Sequence, residues 1–177
     1  VGFDNQKSGR AIAEHVISYG HRKLGVIAGL RDGNDRAQDR ILGIQDAIDA
    51  HPNVKLLGLQ ECKYSFDEAG SALDDLLSGP VHPTAIICGS DVLAVGAMLR
   101  ARDLGLQIPE DISITGFDDI NLARVTTPGL TTVRVPQHDM GRKAAHVLLG
   151  LLDADAPQSQ SYELMTTIID RGTLARV

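Results

Sequence analysis

Tryptophan is missing from this 177-residue chain, aromatic residues make up only 3% of it, and cysteine occurs twice. Cys62 and Cys88 stand far apart with neither metal-ligand nor redox spacing, which points to reduced thiols in a cytosolic protein rather than a disulfide framework. The six histidines are not paired at a metal-ligating interval, so no metal site is expected. No apolar run approaches the roughly 20 residues that span a bilayer. No signal peptide is visible either, although the chain opens on Val1 rather than Met and its natural start is expected upstream. Excess positive charge is lacking too. With 17 basic against 23 acidic side chains, the net charge of −6 disfavours a nucleic-acid or anionic-membrane surface on these residues. What is present, 43% apolar residues, suits one domain or two small lobes with a workable core.

Short strands and helices alternate along the chain. "VGF" (1–3) reads as the end of a strand, followed by a helix over about 6–19 with Ala11, Ile12, His15, Val16 and Tyr19 near one face. Gly20 stops that helix. Further strands are predicted at 23–29, 54–59, 84–89 and 112–117, with helices at about 37–50, 67–78 and 91–105 between them. A last amphipathic helix over 137–153 carries Met140, Ala144, Val147, Leu148 and Leu151 on its stripe. A polar linker over 154–161 leads to a final strand at 164–170. Such β-α alternation is the signature of an α/β fold, a parallel sheet covered by helices on both faces.

In an open sheet of this kind, ligands sit beyond the carboxyl ends of the strands. Four loops leave strands at that edge: "GLRDGNDR" (29–36), "CKYSFDE" (62–68), "GSD" (89–91) and "FDDINL" (117–122). The last holds adjacent carboxylates, Asp118 and Asp119, which repel each other and are costly to desolvate. Gly116 is read as letting the backbone turn before them. One of the pair is expected to cap a short helix over "INLARV", which leaves the other free for a ligand. Phosphate-loop, nucleophile-elbow and dinucleotide fingerprints are absent, and no nucleophile accompanies the carboxylates. Catalysis therefore has no positive support, and no cofactor is implied.

"GHRKLGVIAG" (20–29), Arg40-x-x-Gly43, "PTAIICGSDVLAVGAM" (83–98), "IPEDISITGFDD" (108–119), "PGLTTVRVP" (128–136) and "MG" (140–141) occur together and in this order. From about Val1 to Arg171 the chain thereby resembles the effector-binding region of the lac repressor/gal repressor family of bacterial transcription regulators. The resemblance implies a periplasmic-binding-protein-like fold of two lobes, with the chain crossing between them three times, near Phe3–Asp4, Val133–Val135 and Ile168–Ile169. Residues 4–133 and 168–177 would form one complete lobe, and 1–3 and 134–167 part of the other. The opening half of that second lobe, and a helix-turn-helix headpiece that binds operator DNA, would lie upstream of Val1. Also implied is a cytoplasmic homodimer controlled by a small-molecule effector, a sugar before other metabolites. The rival reading is a secreted solute-binding protein of a sugar transporter, which shares the fold.

Residue roles follow from the same resemblance. Arg40 matches the effector-binding arginine, its planar fork of donors suited to vicinal hydroxyls, a carboxylate or a ring carbonyl. The residues alone equally allow a surface ion pair with Asp39 or Asp46. Asp118 matches the effector-binding aspartate. Ser90 sits where the family often has Asn, and Asp91 beside it is read first as the N-cap of the next helix and second as a contact. Tyr64 lies near the aromatic that stacks on the ligand, with the register open between Tyr64 and Ser65. Phe3 and Asp4 border the first crossing and could line the cleft, though Phe3 fits strand packing as well. His21 is read as a loop anchor. The helix over 91–105 shows almost no polar face from Val92 to Leu99, so one side can pack on the sheet while the other needs cover. The family dimerises in this region, which puts Ala94, Met98, Ala101 and Leu122 at a two-fold interface; burial under the loop 120–130 is the other reading.

Overall fold

The computed structural model describes residues 1–151 and 161–177. The last two residues predicted for the final helix, and all but the last of the predicted linker, lie outside the described residues.

Four helices begin on a side-chain cap. Asp4 accepts the Lys7 N–H (2.8 Å) at the start of α1 (Asn5–Ser18). Asn34 does the same for Ala37 (3.2 Å) ahead of α2 (Asp35–Asp49), Ser65 for Glu68 (3.3 Å) ahead of α3 (Phe66–Leu77), and Ser90 for Leu93 (3.2 Å) ahead of α4 (Asp91–Asp103). Each short polar side chain satisfies one of the amide donors that a helix start leaves open. Between the helices run β1 (Lys23–Gly29), β2 (Lys55–Cys62), β3 (Ala85–Cys88), β4 (Ser113–Asp118), β5 (Thr131–Arg134) and β6 (Thr167–Ile169), in one sheet of order β2-β1-β3-β4-β5-β6. The first five are parallel, and β6 returns antiparallel to β5.

Both faces of the sheet are covered. On one, Ile12 and Val16 of α1 and Ile41 and Ile44 of α2 pack on Leu24, Val26 and Ile87. On the other, Leu73 of α3 and Leu93 and Ala97 of α4 pack on Ile27, Ile86 and Ile114. The α1–α2 crossing is close because Gly43 lacks a side chain: a Cβ there would strike the Gln6 carbonyl and the Arg10 amide. That approach sets Arg40, one turn earlier on α2, against the start of α1. Cys62 and Cys88 are free and buried.

Several expectations change. "VGF" contributes only an isolated bridge, Gly2 to Glu163, rather than a strand of the sheet. Gly116 does not turn the chain; it lies inside β4, paired with Thr132. The turn is made by Asp118 (φ 110°) and Asp119 (φ 54°), both in the left-handed region that non-glycine residues adopt at a cost. The helix after them, α5 (Leu122–Val125), is a single turn, and neither aspartate caps it. The apolar side that α4 leaves open is narrow, with Leu99 exposed on it. Ala94 and Ala101 are completely covered within the single chain, by α3 on one flank and by the β4 and α5 region on the other, so neither has surface left for a second copy. The helix α6 (Gln137–Gly150) is the opposite case: none of its residues is buried, and Met140 is where it touches the core.

Candidate functional site

The parallel strands end along one edge, and the capped helices leave from it. There the Arg40 guanidinium is fixed from several sides. Its Nη1 donates to the Gly89 carbonyl (2.6 Å) and its Nε to Asn5 Oδ1 (2.9 Å), while its plane lies over the Phe117 ring, 3.8 Å from the centroid. Phe117 is itself stacked on Phe3, with centroids 6.1 Å apart. A cation over an aromatic face is attracted by the ring's quadrupole and loses rotational freedom. Its remaining terminal nitrogen, Nη2, stands 3.6 Å from Asp118 Oδ1. The surface ion pair with Asp39 or Asp46 does not form; Asp46 accepts from Gln6 instead (2.7 Å).

Asp118 and Asp119 have separate tasks. The left-handed turn sends their side chains to opposite places. Among the described residues nothing hydrogen-bonds to the Asp118 carboxylate, whose side chain keeps 27% exposure. Burial raises its carboxyl above the ordinary value, against the opposing pull of Arg40 and Arg36. The Asp119 side chain is 1% exposed and meets three arginines: Arg171 (2.5 Å), Arg134 (2.6 Å) and Arg124 (3.5 Å). Burial pushes this carboxyl up, but the hydrogen bonds from Arg171 and Arg134 outweigh it and hold it below the ordinary value.

The other sequence candidates divide. Tyr64 covers Gly29 at the end of β1 and accepts from Asn34 Nδ2 (3.3 Å), half-exposed beside Arg40, whereas Ser65 is used as a cap. Ser90 rather than Asp91 caps α4, and its hydroxyl is buried in doing so. Asp4 caps α1 and pairs with Lys7 (3.0 Å). Phe3 is partly buried and stacks on Phe117, the ring over which Arg40 lies. His21 is a loop anchor, buried between Thr84 and the Ala175 carbonyl.

Sequence reasoning missed the residues that hold Arg40, namely Asn5, Gly89 and Phe117, and the arginines around Asp119. The register of β4 on β5, which sets Asp118 opposite Arg134 and so brings that arginine to the turn, is visible only in the fold. What remains open at the edge is an acceptor, Asp118, facing a donor, Arg40, with the Tyr64 ring nearby. That combination suits a small polar molecule carrying both hydroxyl or N–H donors and oxygen acceptors. Among the described residues, no three His, Cys, Asp or Glu side chains are grouped to hold a metal ion, and no helix is long and apolar enough to cross a membrane.

This architecture has known counterparts. Residues 13–174 match the family described as a periplasmic binding protein-like domain. The HTH-type transcriptional repressor PurR of Klebsiella pneumoniae strain 342 is 34% identical over 175 residues, covering 98% of this chain and 51% of the repressor. The crystal structure of the transcription regulator GntR from Chromobacterium violaceum superposes with a TM-score of 0.90 at 33% identity, covering 98% of this chain and 64% of that one. A sugar-binding transcriptional regulator of the LacI family from Escherichia coli, solved with phosphate, gives 0.88 at 27% identity over 99% and 63% of the two chains. The chain thus spans about half the length of the curated relatives it matches. The chain belongs to the family of periplasmic binding protein-like domains, in the form carried by lac repressor-type transcription regulators.

Proposed function

We propose that these residues are the effector-binding and dimerisation part of a cytoplasmic transcription regulator, in which a small molecule bound at the Arg40–Asp118 edge alters operator binding by a separate headpiece. One observation carries the reading: a strained, partly buried carboxylate, with no hydrogen-bond donor among the described residues, faces an arginine locked over Phe117. A carboxylate left in that state costs free energy that a ligand's hydroxyl or N–H can recover. The ligand class we assign is a sugar or sugar derivative, whose vicinal hydroxyls offer donors to Asp118 and acceptors to Arg40. The sugar-binding regulator from Escherichia coli supports that class. The relatives named above are transcription regulators, which supports this reading over a transporter's solute-binding protein.

In this reading residues 4–133 and 168–177 are one lobe, and 1–3 and 134–167 are part of the second. Three features support the boundary. The β5–β6 pairing ends at Arg134 and Thr167, α6 buries none of its residues, and Gly2 bridges to Glu163 away from the sheet. Dimerisation would use the outer side of α4 and α5, where Leu99 and Val125 are exposed beside Met98 along a groove of about 600 Å³, with the partly buried Leu122 on the same short helix as Val125. A thermal-shift screen of the full-length protein against sugars, sugar acids and nucleobases tests the ligand class, because a ligand at one hundred times its Kd stabilises by about 2.7 kcal/mol. A shift with a sugar is the expected result. A shift with nucleobases alone would replace the sugar, and no shift with any of the three would remove the small-molecule reading.

A further inference from the structure

Asp91 has no part in capping α4, and it is completely buried one residue into that helix. Its two oxygens serve two different elements. Oδ1 accepts from Thr132 Oγ1 of β5 (2.5 Å), and Oδ2 accepts the Ile120 N–H (2.8 Å) directly after the Asp118–Asp119 turn. The space it occupies exists because Gly116 has no side chain; a Cβ there would overlap Asp91 Oδ1. A buried carboxylate therefore clamps the exit of the turn to the neighbouring strand, while Asp119 anchors the turn's middle to arginines. Two consecutive non-glycine residues at positive φ persist only where their surroundings over-determine them.

We propose that Asp91 is a positioning residue for the site: by fixing the Ile120 amide against β5 it holds Asp118 in the left-handed conformation that turns its carboxylate toward Arg40. This rests on reading Asp118 as the effector's acceptor. The charged and titratable groups facing Asp91 are Asp118 and Asp119 from the turn, Cys88 from the end of β3, and Arg40 from α2. Burial, chiefly, lifts the Asp91 carboxyl to about 6; the Thr132 and Ile120 hydrogen bonds oppose that lift and the two neighbouring aspartates add to it.

The test needs no effector. Carbon-detected NMR of the 177-residue chain follows the Asp118 carboxyl, identified by its absence in Asp118→Ala, together with hydrogen exchange of the Ile120 amide. In Asp91→Leu the Ile120 amide should exchange at least about tenfold faster, and the Asp118 carboxyl should titrate closer to an ordinary, solvated aspartate. Asp91→Asn can still accept from Ile120 and donate to Thr132, so it should keep both signals near the parent's. Should Asp91→Leu fail to fold, Thr132→Val removes only one of the two bonds and should shift both signals in the same direction by less. Unchanged Asp118 titration and Ile120 exchange in a folded Asp91→Leu, or in Thr132→Val, would overturn the proposal. If the signals move as expected but no sugar, sugar acid or nucleobase binds the full-length protein, the positioning role stands and the effector reading fails.

Discussion

Asp118→Ala is expected to lose effector affinity by roughly thirtyfold to several-thousandfold. Removing one partner of a buried, charge-assisted hydrogen bond costs about 2–5 kcal/mol, at about 1.4 kcal/mol per tenfold. The change should be local. Arg40 keeps its bonds to Asn5 and Gly89 and its place over Phe117, so the guanidinium stays where it is without the carboxylate. Alanine at φ 110° remains strained, and Asp118→Gly removes that strain as well as the acceptor. Both variants should therefore bind effector equally poorly while the glycine variant melts higher. Calorimetric titration paired with thermal melts separates the two effects. Parent-like affinity in both variants would make Asp118 a structural residue only.

Asp119→Ala should act on stability instead. Read from the sequence, it was a candidate helix cap, a role worth about 1 kcal/mol. In the structure it is the single carboxylate shared by three arginines on three segments: Arg124 of α5, Arg134 at the end of β5 and Arg171 after β6. Breaking a buried ion pair costs about 3–5 kcal/mol. The Arg134 and Arg124 side chains are 44% and 58% exposed, so water compensates much of their loss, and Arg171 at 17% carries most of the effect. The low end, about 3 kcal/mol, translates to a Tm lower by roughly 6–12 °C for a chain of this size. The pH dependence has a definite sign. The folded-state pKa of Asp119 is depressed below the ordinary 3.8, so its contribution is complete above that value and is lost as pH falls through the folded-state pKa. The Tm difference between parent and variant should stay constant near neutrality and close below about pH 4. A constant difference down to pH 2 would mean that the arginine pairing is not its origin.

The elements were legible because hydrophobic spacing determines them: α1 to α4 and the first four strands lie within a few residues of where the periodicity places them, whereas β5 (Thr131–Arg134), short and rich in threonine, was not read as a strand. The edge that carries Arg40 and Asp118 was legible from topology, since parallel strands put their loops on one side. Ser90 and Asp91 were not separable in the same way. Both are capping residue types, and a one-residue shift in where α4 starts decides which one caps and which is buried under Gly116. The covering of α4 was equally hidden. A helix apolar on all sides requires burial but does not say by what, and here α3 and α5 supply it, which takes Ala94 and Ala101 out of any interface. The antiparallel return of β6 depends on where the chain comes back after α6, which local pattern does not encode. Polar residues at the helix starts are ambiguous in sequence for one physical reason: helix caps and ligand contacts use the same side chains, and Asp4 and Ser90 act as caps here.

The most direct measurement is the operator affinity of the full-length protein, with and without a saturating effector found in the thermal-shift screen, for the parent and for Asp118→Ala. Coupling between two sites of this kind is typically worth about 1–3 kcal/mol, or roughly 5- to 150-fold in affinity. A binding site at the Arg40–Asp118 edge predicts a change of that size in the parent and none in Asp118→Ala, with effector-free operator affinity equal in both. An effector response of the same size in both proteins would contradict it.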